Sequence, residues 1–554
     1  MSDLDDLDLV SEATEESSRP QPMKSMNRVR KQVKASAMKP SPRGRGKGNG
    51  KGRKKPNRIA SSPSCASEAT EVPSSQEAVP QGQCQEKHLP RTSGLFDFAD
   101  YLVAHVLGQS DRDIFSSNHY YTFAELGAGY ATGTMCAEAL RLAFARACNS
   151  EVKGHCVFYT EQQDWKREVI RGIHDRVDPG QPCCMFVNTG DVSEPVLIDD
   201  MKASVMQLPP HKFVFFAIEC DDVSVCSSTP RSVKDPEGKS GASFLEFIAY
   251  LTSIRFQDRP DALMVECVKN LDHVRKKVGG EKGTEVVAAA LTELGYVGSW
   301  QHLDAFDFYL PQSRPRIYGI FLRLTKGFGP KGLEVRSSDL NQAWSFVKRC
   351  KTKPSFERLE MLVGRLPSRV PADDTSTPAI PRKRKPGRSS SSNPKWLNLH
   401  QKFKKASGLD GKDLLGDTGM VEFKTAAVKL GLTDREVDAS ILALSQMMKT
   451  GALTDWQSTL LAGNIGDSVD RLKFKENMFP CLLPDKKYLL LEHGSLSLID
   501  DPQLFTSLQG IGNDETKHFG LDTIPLGRRQ DLAGNAFAAN ICVSILLALL
   551  TIHA

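Results

Sequence analysis

The stretch Lys212-Phe-Val-Phe-Phe-Ala-Ile-Glu-Cys220 decides how this sequence is interpreted. Six consecutive residues, 213–218, are apolar, three of them are phenylalanine, and two aspartates follow Cys220 directly. An apolar run of this length that ends at polar residues is typical of a strand buried on both faces of a sheet. In open α/β sheets, ligands bind at the carboxyl ends of the strands. The pattern therefore places Cys220 where such a fold carries out its chemistry.

Strand-like and helix-like segments alternate on both sides of this run. The strand-like segments are Tyr120–Leu126, His155–Glu161, Cys184–Val187, Asp261–Glu266 and Ile317–Leu322. Helical spacing of apolar residues lies between them, at Thr132–Arg146 and Trp165–His174. The alternation predicts one doubly wound α/β domain over residues 93–325.

Three segment ends carry residues suited to bind a nucleoside cofactor. The first strand runs into Glu125-Leu-Gly127-Ala-Gly129, a turn whose glycines allow close approach to the backbone but lack the spacing of a dinucleotide fingerprint. Glu161 ends the second strand, at the position that commonly binds a ribose diol, and Asp191 follows the third strand. Each acid alone is more often a loop or cap residue, but three on consecutive strands favour a cofactor site.

Cys220 alone would be interpreted as a small buried apolar residue. Its acidic neighbours raise the pKa of a thiol and so oppose nucleophilicity. A carboxylate, Glu266, ends the next apolar strand, and Arg314 and Arg316 begin the one after it. A thiol, an acid and two guanidiniums on neighbouring strands are what a covalent attack on a polar ring requires.

The N-terminal residues 1–92 are poor in large apolar residues and predict a disordered arm. Within them, Lys24 to Arg58 carries fourteen Lys or Arg and no acid, so the chain's formal net charge of +5 hides a remainder of −9. Such an arm is suited to neutralising nucleic-acid phosphates, and it is equally typical of an import signal or a solvated tail.

The remaining sequence predicts a second region and a soluble, intracellular protein. The thirteen cysteines follow no disulfide or zinc spacing. A basic, Pro- and Ser-rich linker is expected at 367–395, inside a region 326–478 that looks mainly helical from 396 to 475, with a capping box at Thr433–Glu436. Residues 479–554 end in the apolar run 536–552. This run is short and contains Asn540, so a buried core helix is favoured over a membrane anchor.

The order of these elements resembles the cytosine-5 DNA methyltransferase family. Six segments are similar to the family's motifs D/E-L-F-A-G-x-G, P-P-C-Q-x-F-S, E-N-V, Q-x-R-x-R, R-L-Q-G-F and G-N-A/S-V. They are, in the same order, Glu125-Leu-Gly-Ala-Gly129, Ile218-Glu-Cys220-Asp-Asp-Val-Ser224, Glu266-Cys-Val268, Gln312-Ser-Arg-Pro-Arg316, Ser507-Leu-Gln-Gly-Ile511 and Gly534-Asn-Ala-Phe537. Each motif alone is weak, but six in the family's order are specific.

The resemblance implies a class I S-adenosylmethionine-dependent methyltransferase fold, with the region 326–478 in the place of the target-recognition domain. It implies that Cys220 attacks carbon 6 of a cytosine flipped out of double-stranded DNA. Glu266 would hold ring nitrogen 3, and Arg314 and Arg316 would orient the base. The residues implied to bind S-adenosylmethionine are Glu125, Gly127, Gly129, Glu161, Asp191 and Asn535, the last expected on the final helix. No metal is implied.

The sequence departs from the family pattern around the nucleophile. Glu219 and Asp221 replace the family's Pro and Gln beside the cysteine, and Cys267 replaces an Asn that braces the nucleophile loop. Gly127 replaces an aromatic residue that stacks on the cofactor. A nuclear DNA methyltransferase is the favoured hypothesis. The tRNA-methylating branch of the family and a catalytically inactive DNA- or partner-binding homologue are the alternatives.

Overall fold

The structure is a computed structural model that describes residues 89–90, 92, 94–187, 210–225, 227, 229–273, 280–324, 330–354, 395–409, 416–456, 459–484, 486–492, 494–499 and 501–553. All of them belong to one structural unit, 81–554. Almost all of the predicted arm 1–92 lies outside the described residues, and so does the predicted linker 367–395 apart from Lys395. Asp191, the expected adenine contact, also lies outside them.

A seven-stranded mixed sheet forms the centre of the larger part of the fold. Its strands are β1 (His119–Leu126), β2 (Val152–Thr160), β3 (Met185–Phe186), β4 (Phe213–Ala217), β5 (Ala262–Val268), β6 (Tyr296–Asp304) and β7 (Pro315–Arg323). Their order across the sheet is β3-β2-β1-β4-β5-β7-β6, and β7 runs antiparallel to both of its neighbours while the other pairs are parallel. The predicted doubly wound fold of class I methyltransferases is confirmed.

Helices cover both faces of this sheet, and further helices of the described residues belong to the region after residue 395. In chain order the helices are α1 (Leu95–Tyr101), α2 (Gln109–Ile114), α3 (Thr132–Cys148), α4 (Asp164–Val177), α5 (Lys239–Ser253), α6 (Gly283–Glu293), α7 (Pro330–Arg349), α8 (Lys395–Ala406), α9 (Gly416–Lys429), α10 (Asp434–Lys449), α11 (Pro502–Ser507), α12 (Asn513–His518), α13 (Leu526–Asn535) and α14 (Ala539–His553). The apolar layer on one face includes residues of α1, α3, α4, α7 and α14, and the layer on the other face includes residues of α5 and α6.

The central strand β4 explains why its sequence is an unbroken apolar run. Phe213 and Phe215 belong to one apolar layer, whereas Val214 and Phe216 belong to the other. Because successive side chains of a strand point to opposite faces, a strand covered on both faces must be apolar at every position. The strand order reverses direction between β1 and β4, and this switch point is where open α/β sheets form a ligand crevice.

The apolar C-terminal run forms α14, which lies inside the core. Its residues 539–550 are buried, and the helix packs against α3 and α7. Among the described residues no single helix is long and apolar enough to cross a membrane. One bent pair of helices, Gly527–Asn535 with Ala539–His553, is long and apolar enough to cross a membrane, judged by length and composition only. The favoured interpretation as a core helix matches this position.

A second apolar cluster organises the region after residue 395. Helices α9 and α10 pack there against an antiparallel sheet of β8 (Leu460–Asn464), β9 (Phe474–Glu476), β10 (Tyr488–Glu492) and β11 (Ser495–Ile499), in the order β11-β10-β8-β9. The capping box predicted at Thr433 and Glu436 is present at the start of α10.

The structure differs from the expected domain limits in two places. Helix α7 follows the limit expected at residue 325, yet it packs against β6 and α14 in the part of the fold that is built on the seven-stranded sheet. The limit expected at 478 falls between β9 and β10, which belong to the same four-stranded sheet. The region 396–475 contains helices α8, α9 and α10, as expected, and in addition strands β8 and β9, whose sheet is completed by β10 and β11 beyond the expected limit.

Candidate active site

A cavity of about 300 Å³ lies at the carboxyl ends of the parallel strands. Among the residues that line it are eight of those predicted from the sequence: Gly127, Gly129, Glu161, Cys220, Glu266, Arg314, Arg316 and Asn535. The predicted cofactor half and the predicted nucleophile half thus share one space. Glu125 is not among the lining residues.

The glycine turn after β1 forms one wall of the cavity. Gly127 and Gly129 have φ angles of +69° and +51°, in the left-handed region that glycine adopts without strain. The N–H of Gly127 donates to Thr160 Oγ1 at 2.8 Å. A Cβ atom on Gly127 would lie 3.4 Å from the carbonyl oxygen of Ala217, on the neighbouring strand. A side chain at Gly127 would therefore fit in this space, and it is the positive φ angles that favour glycine where the two central strands end.

Glu161 joins this turn to the end of β2. Its Oε2 accepts from the N–H of Gly129 at 3.0 Å, and its Oε1 accepts from the N–H of Gln163 at 2.9 Å. A carboxylate has about four acceptor positions, so two backbone donors leave capacity for a ligand's hydroxyl groups. Its position in the cavity wall fits the predicted contact to a ribose diol.

Glu125 has a structural position that the sequence interpretation did not foresee. Its buried carboxyl accepts from the N–H groups of Gly133 and Thr134 at 3.0 and 2.7 Å, and from Thr134 Oγ1 at 2.6 Å. Burial raises the pKa of Glu125 to about 7, although these three donors oppose the rise. The prediction that Glu125 contacts the cofactor directly is corrected: it holds the N-terminus of α3 beneath the glycine turn.

Cys220 lies three residues beyond the end of β4 and is exposed. Although the residue is exposed, the protein atoms around its thiol displace water, and this desolvation raises the pKa of the thiol. Arg316 lowers this pKa, and the carboxylates of Glu266 and Asp221 raise it further. Lys239 Nζ lies 2.6 Å from Asp221 Oδ2 and so balances the charge of that acid. The thiol is therefore placed for attack but held mainly in its protonated form at neutral pH.

Glu266 and Arg316 form a buried ion pair beside the thiol. Arg316 Nε lies 3.1 Å from Glu266 Oε1, and the two side chains are 12 % and 11 % exposed. Burial raises the pKa of Glu266, and the charges of Arg316 and Arg314 oppose the rise. The strands explain the pairing, because Glu266 on β5 and Arg316 on the adjacent β7 reach the same end of the sheet.

Arg314 has a different role from Arg316. Its Nη1 donates to the carbonyl of Leu482 at 3.1 Å, and its Nη2 donates to those of Gly534 and Ala536 at 3.1 and 2.7 Å. The residue is 3 % exposed, and burial lowers its pKa. Three carbonyl contacts make Arg314 an anchor for the C-terminal segment, whereas the sequence predicted an orienting contact to the base.

Asn535 lines the cavity from the end of α13, the helix before the one on which it was expected. Its Nδ2 donates to the carbonyl oxygen and to Oδ1 of Asp531 at 3.1 and 3.2 Å. Lys166, which the sequence reasoning missed, is 4 % exposed, lines the same cavity and pairs with Asp531 at 3.2 Å. No sequence pattern marks Lys166, because its partner is far away along the chain.

The described residues contain no cluster of three or more His, Cys, Asp or Glu side chains arranged to hold a metal ion. The ten cysteines within the described residues are all free thiols.

A known protein family matches the part of the chain that carries Cys220, Glu266 and Arg316. Residues 187–366 match the family described as C-5 cytosine-specific DNA methylase. Type II methyltransferase M2.ScrFI of Lactococcus lactis subsp. cremoris is 32 % identical over 133 residues, which cover 24 % of this chain and 32 % of that protein. The chain therefore matches about a third of the length of this relative.

Solved structures of similar proteins align over more of the chain but at lower identity. The Dnmt2 methyltransferase of S. pombe covers 78 % of this chain and 98 % of its own, with 12 % identity and a TM-score of 0.35. A putative DNA modification methyltransferase encoded within a prophage of E. coli covers 78 % and 99 %, with 14 % identity and a TM-score of 0.39.

Proposed function

We propose that the chain methylates carbon 5 of cytosine in double-stranded DNA through a covalent adduct with Cys220; the match of residues 187–366 to C-5 cytosine-specific DNA methylases supports this proposal. The observation that carries the proposal is the single cavity that joins Cys220 and the Glu266–Arg316 pair to the glycine turn and Glu161. A nucleophile and a nucleoside site in one cavity are what a methyl transfer onto a base requires.

S-adenosylmethionine, the methyl donor of this family, supplies an electrophilic methyl group when bound. The described residues fit it: the Gly127–Gly129 turn leaves room for an adenosyl group, and Glu161 retains acceptor capacity for ribose hydroxyls. Asn535 and Lys166 line the same cavity and complete the proposed cofactor wall. Asp191 stays a predicted adenine contact.

The nucleophile half would activate the cytosine ring in two ways. The sulfur of Cys220, once deprotonated, forms a bond to carbon 6, which makes carbon 5 electron-rich and ready to accept a methyl group. Glu266, whose pKa is raised by burial, would hold ring nitrogen 3 and stabilise the charge that develops there. Loss of the proton from carbon 5 and cleavage of the sulfur–carbon bond then release the product and the thiolate.

Arg316 would serve both groups at once. Its positive charge lowers the pKa of the Cys220 thiol and holds the Glu266 carboxyl in place through the 3.1 Å contact. Since a stacked cytosine is out of reach of a protein thiol, the proposal includes extrusion of the base from the duplex into the cavity. The basic segment 24–58 would add affinity for the phosphate backbone, and the nucleus is the proposed location.

Covalent trapping tests the proposal directly. Duplex DNA containing 5-fluorocytosine is incubated with the full-length protein and S-adenosylmethionine. The adduct persists because the step that resolves it removes a proton from carbon 5, and fluorine at that position cannot be removed as a cation. The wild type and a control variant, Cys148→Ser, are expected to form the adduct. Cys220→Ser is expected to reduce its formation by a factor on the order of 10⁴.

Each alternative gives a different result in the same assay. Labelled methyl transfer to tRNA and not to DNA would overturn the substrate assignment. Absence of any adduct with wild-type protein that still binds DNA would favour the inactive homologue. Adduct formation by Cys220→Ser at the wild-type rate would exclude Cys220 as the nucleophile, and Cys226→Ser would then be tested.

A further inference from the structure

The loop that follows Cys220 is fixed by contacts that do not use the family's residues. A turn closes it, because the N–H of Ser224 donates to the carbonyl of Cys220 at 2.8 Å. Within this turn, Asp222 Oδ2 accepts from the N–H of Ser240 at 2.9 Å, at the start of α5. The Asp221–Lys239 pair adds a contact to the same helix terminus.

The middle of the loop is held from the other side, by Asn270. Its Nδ2 donates to the carbonyl of Val223 at 2.7 Å. Asn270 lies in a short 3₁₀ helix, Lys269–Asp272, directly after strand β5, which carries Glu266. This one hydrogen bond therefore connects the nucleophile loop to the element that positions the catalytic carboxyl.

Position 267, where the family has its bracing Asn, cannot provide such a contact here. Cys267 is 1 % exposed, and its only hydrogen bond to this loop region within the described residues is from Sγ to the carbonyl of Ile218 at 3.7 Å. A thiol is a weak donor and lacks the second donor of an amide. The amide of Asn270 is a stronger donor and reaches Val223, three residues beyond the nucleophile.

We propose that Asn270 is a positioning residue for the nucleophile loop and replaces the brace that Cys267 cannot supply. The inference rests on the proposed role of Cys220. The side chain of Val223 is buried in the same apolar layer as Leu271, next to Asn270, so the hydrogen bond joins two segments that packing has already brought together. Cys220 is thereby kept close to Arg316 and Glu266.

The experiment compares three full-length variants. Asn270→Ala removes the donor and the side chain, Asn270→Asp keeps the shape but replaces the donor by an acceptor, and Lys269→Ala changes the exposed neighbour as a control. Four quantities are measured: the rate of trapping on 5-fluorocytosine DNA, the Kd of S-adenosylmethionine, the thermal midpoint, and the pH dependence of Cys220 alkylation by iodoacetamide, located by peptide mass spectrometry.

Both Asn270 variants are expected to trap at least about tenfold more slowly, while the Kd stays within about twofold and Lys269→Ala behaves as wild type. Release of the loop moves the thiol away from the burial and the charges that set its pKa, so the midpoint of Cys220 alkylation is expected to shift. The charged groups that act on this thiol are Arg314, Arg316, Asp221 and Glu266. Unchanged trapping and an unchanged alkylation profile in both variants would overturn the proposal.

A general loss of folding in both variants would also overturn it, because Asn270 would then be a residue of the scaffold. The alkylation profile separates this inference from the proposed function. If wild-type protein formed no adduct on DNA while the uncharged variant Asn270→Ala still shifted the alkylation midpoint, the brace would stand and the proposed function would fail.

Discussion

The two halves of the cavity are held together by different kinds of interaction. In the cofactor half, side chains of Glu125, Thr160 and Glu161 bind backbone N–H groups of the segment 127–134, all within two adjacent strands and the turn and helix that follow the first. In the nucleophile half, Arg314 binds carbonyls more than 160 residues away. The glycine turn of the cofactor half is thus held by contacts that are close in sequence, whereas Arg314 connects the nucleophile half to a distant segment of the chain.

This difference predicts in which half of the cavity one residue can take over the role of another. The cofactor half depends on backbone geometry, which glycines and one buried carboxyl provide. The nucleophile half depends on side chains from several segments of the chain. A residue in one segment can therefore take over the role of a residue in another, as we propose for Asn270 and position 267.

The largest expected effect concerns the chemistry of the nucleophile half. Glu266→Gln keeps the size of the side chain but cannot donate a proton or pair as an ion with Arg316. We expect the rate of methyl transfer to fall about 10²- to 10³-fold, since a donor to the developing charge is weakened. The Kd of S-adenosylmethionine should change little. Single-turnover kinetics measures the rate, and Glu285→Gln, at an exposed position of α6, is the control.

A loss of cofactor affinity equal to the loss of rate would contradict this division of the cavity. It would mean that Glu266 supports the cofactor half as well.

The next effect separates the two arginines. Arg314→Lys keeps the charge but cannot bind the carbonyls of Leu482, Gly534 and Ala536 together. We expect the free energy of unfolding to fall by about 3 kcal/mol, because buried carbonyls lose their partners. Denaturant unfolding measures it. Arg316→Lys should reduce methyl transfer with a smaller loss of stability.

If Arg314→Lys unfolded like the wild type and was deficient only in activity, Arg314 would be the base contact that the sequence predicted, and its role as an anchor would be wrong.

The smallest expected effect tests the cofactor half through pH. The pKa of Glu125 is about 7 in the folded protein, against a usual value of 4.5. Between these values the native state keeps a proton that the unfolded state has released, so stability falls as pH rises through this window. We expect wild type to lose up to about 3 kcal/mol more than Glu125→Gln between pH 4.5 and 8. Denaturant unfolding at both pH values measures this difference.

An equal pH dependence in the two proteins would show that Glu125 titrates as an ordinary acid. The rise in the pKa of Glu125 that we attribute to burial would then be wrong.

The sequence predicted the local features of the molecule well. The strands β1, β2, β4, β5 and β7 follow from their apolar runs, because a strand covered on both faces leaves a continuous signal. The convergence of Cys220, Glu266 and Arg316 follows from their positions at the ends of neighbouring strands. The fold class could be predicted for the same reason.

Features that depend on distant partners could not be predicted. Arg314 and Arg316 look equivalent in sequence, and only the fold shows that one meets backbone carbonyls while the other meets a carboxylate. Strand β6 gave no clear signal, since most of its residues are only partly buried. The four-stranded sheet was missed because its strands are short and lie on both sides of the expected limit at 478.

The anchoring of residues 482–536 by Arg314, and the burial of α14 behind them, has a consequence for the order in which the protein matures. A ribosome makes the chain from its N-terminus, so Cys220 and Glu266 emerge long before residues 534–553. Until those last residues arrive, Arg314 lacks its carbonyl partners and the core beside α3 is open. A nascent chain therefore carries Cys220 and Glu266 before the segment that Arg314 binds, and we expect the proposed methyl transfer only once the C-terminal helix has docked.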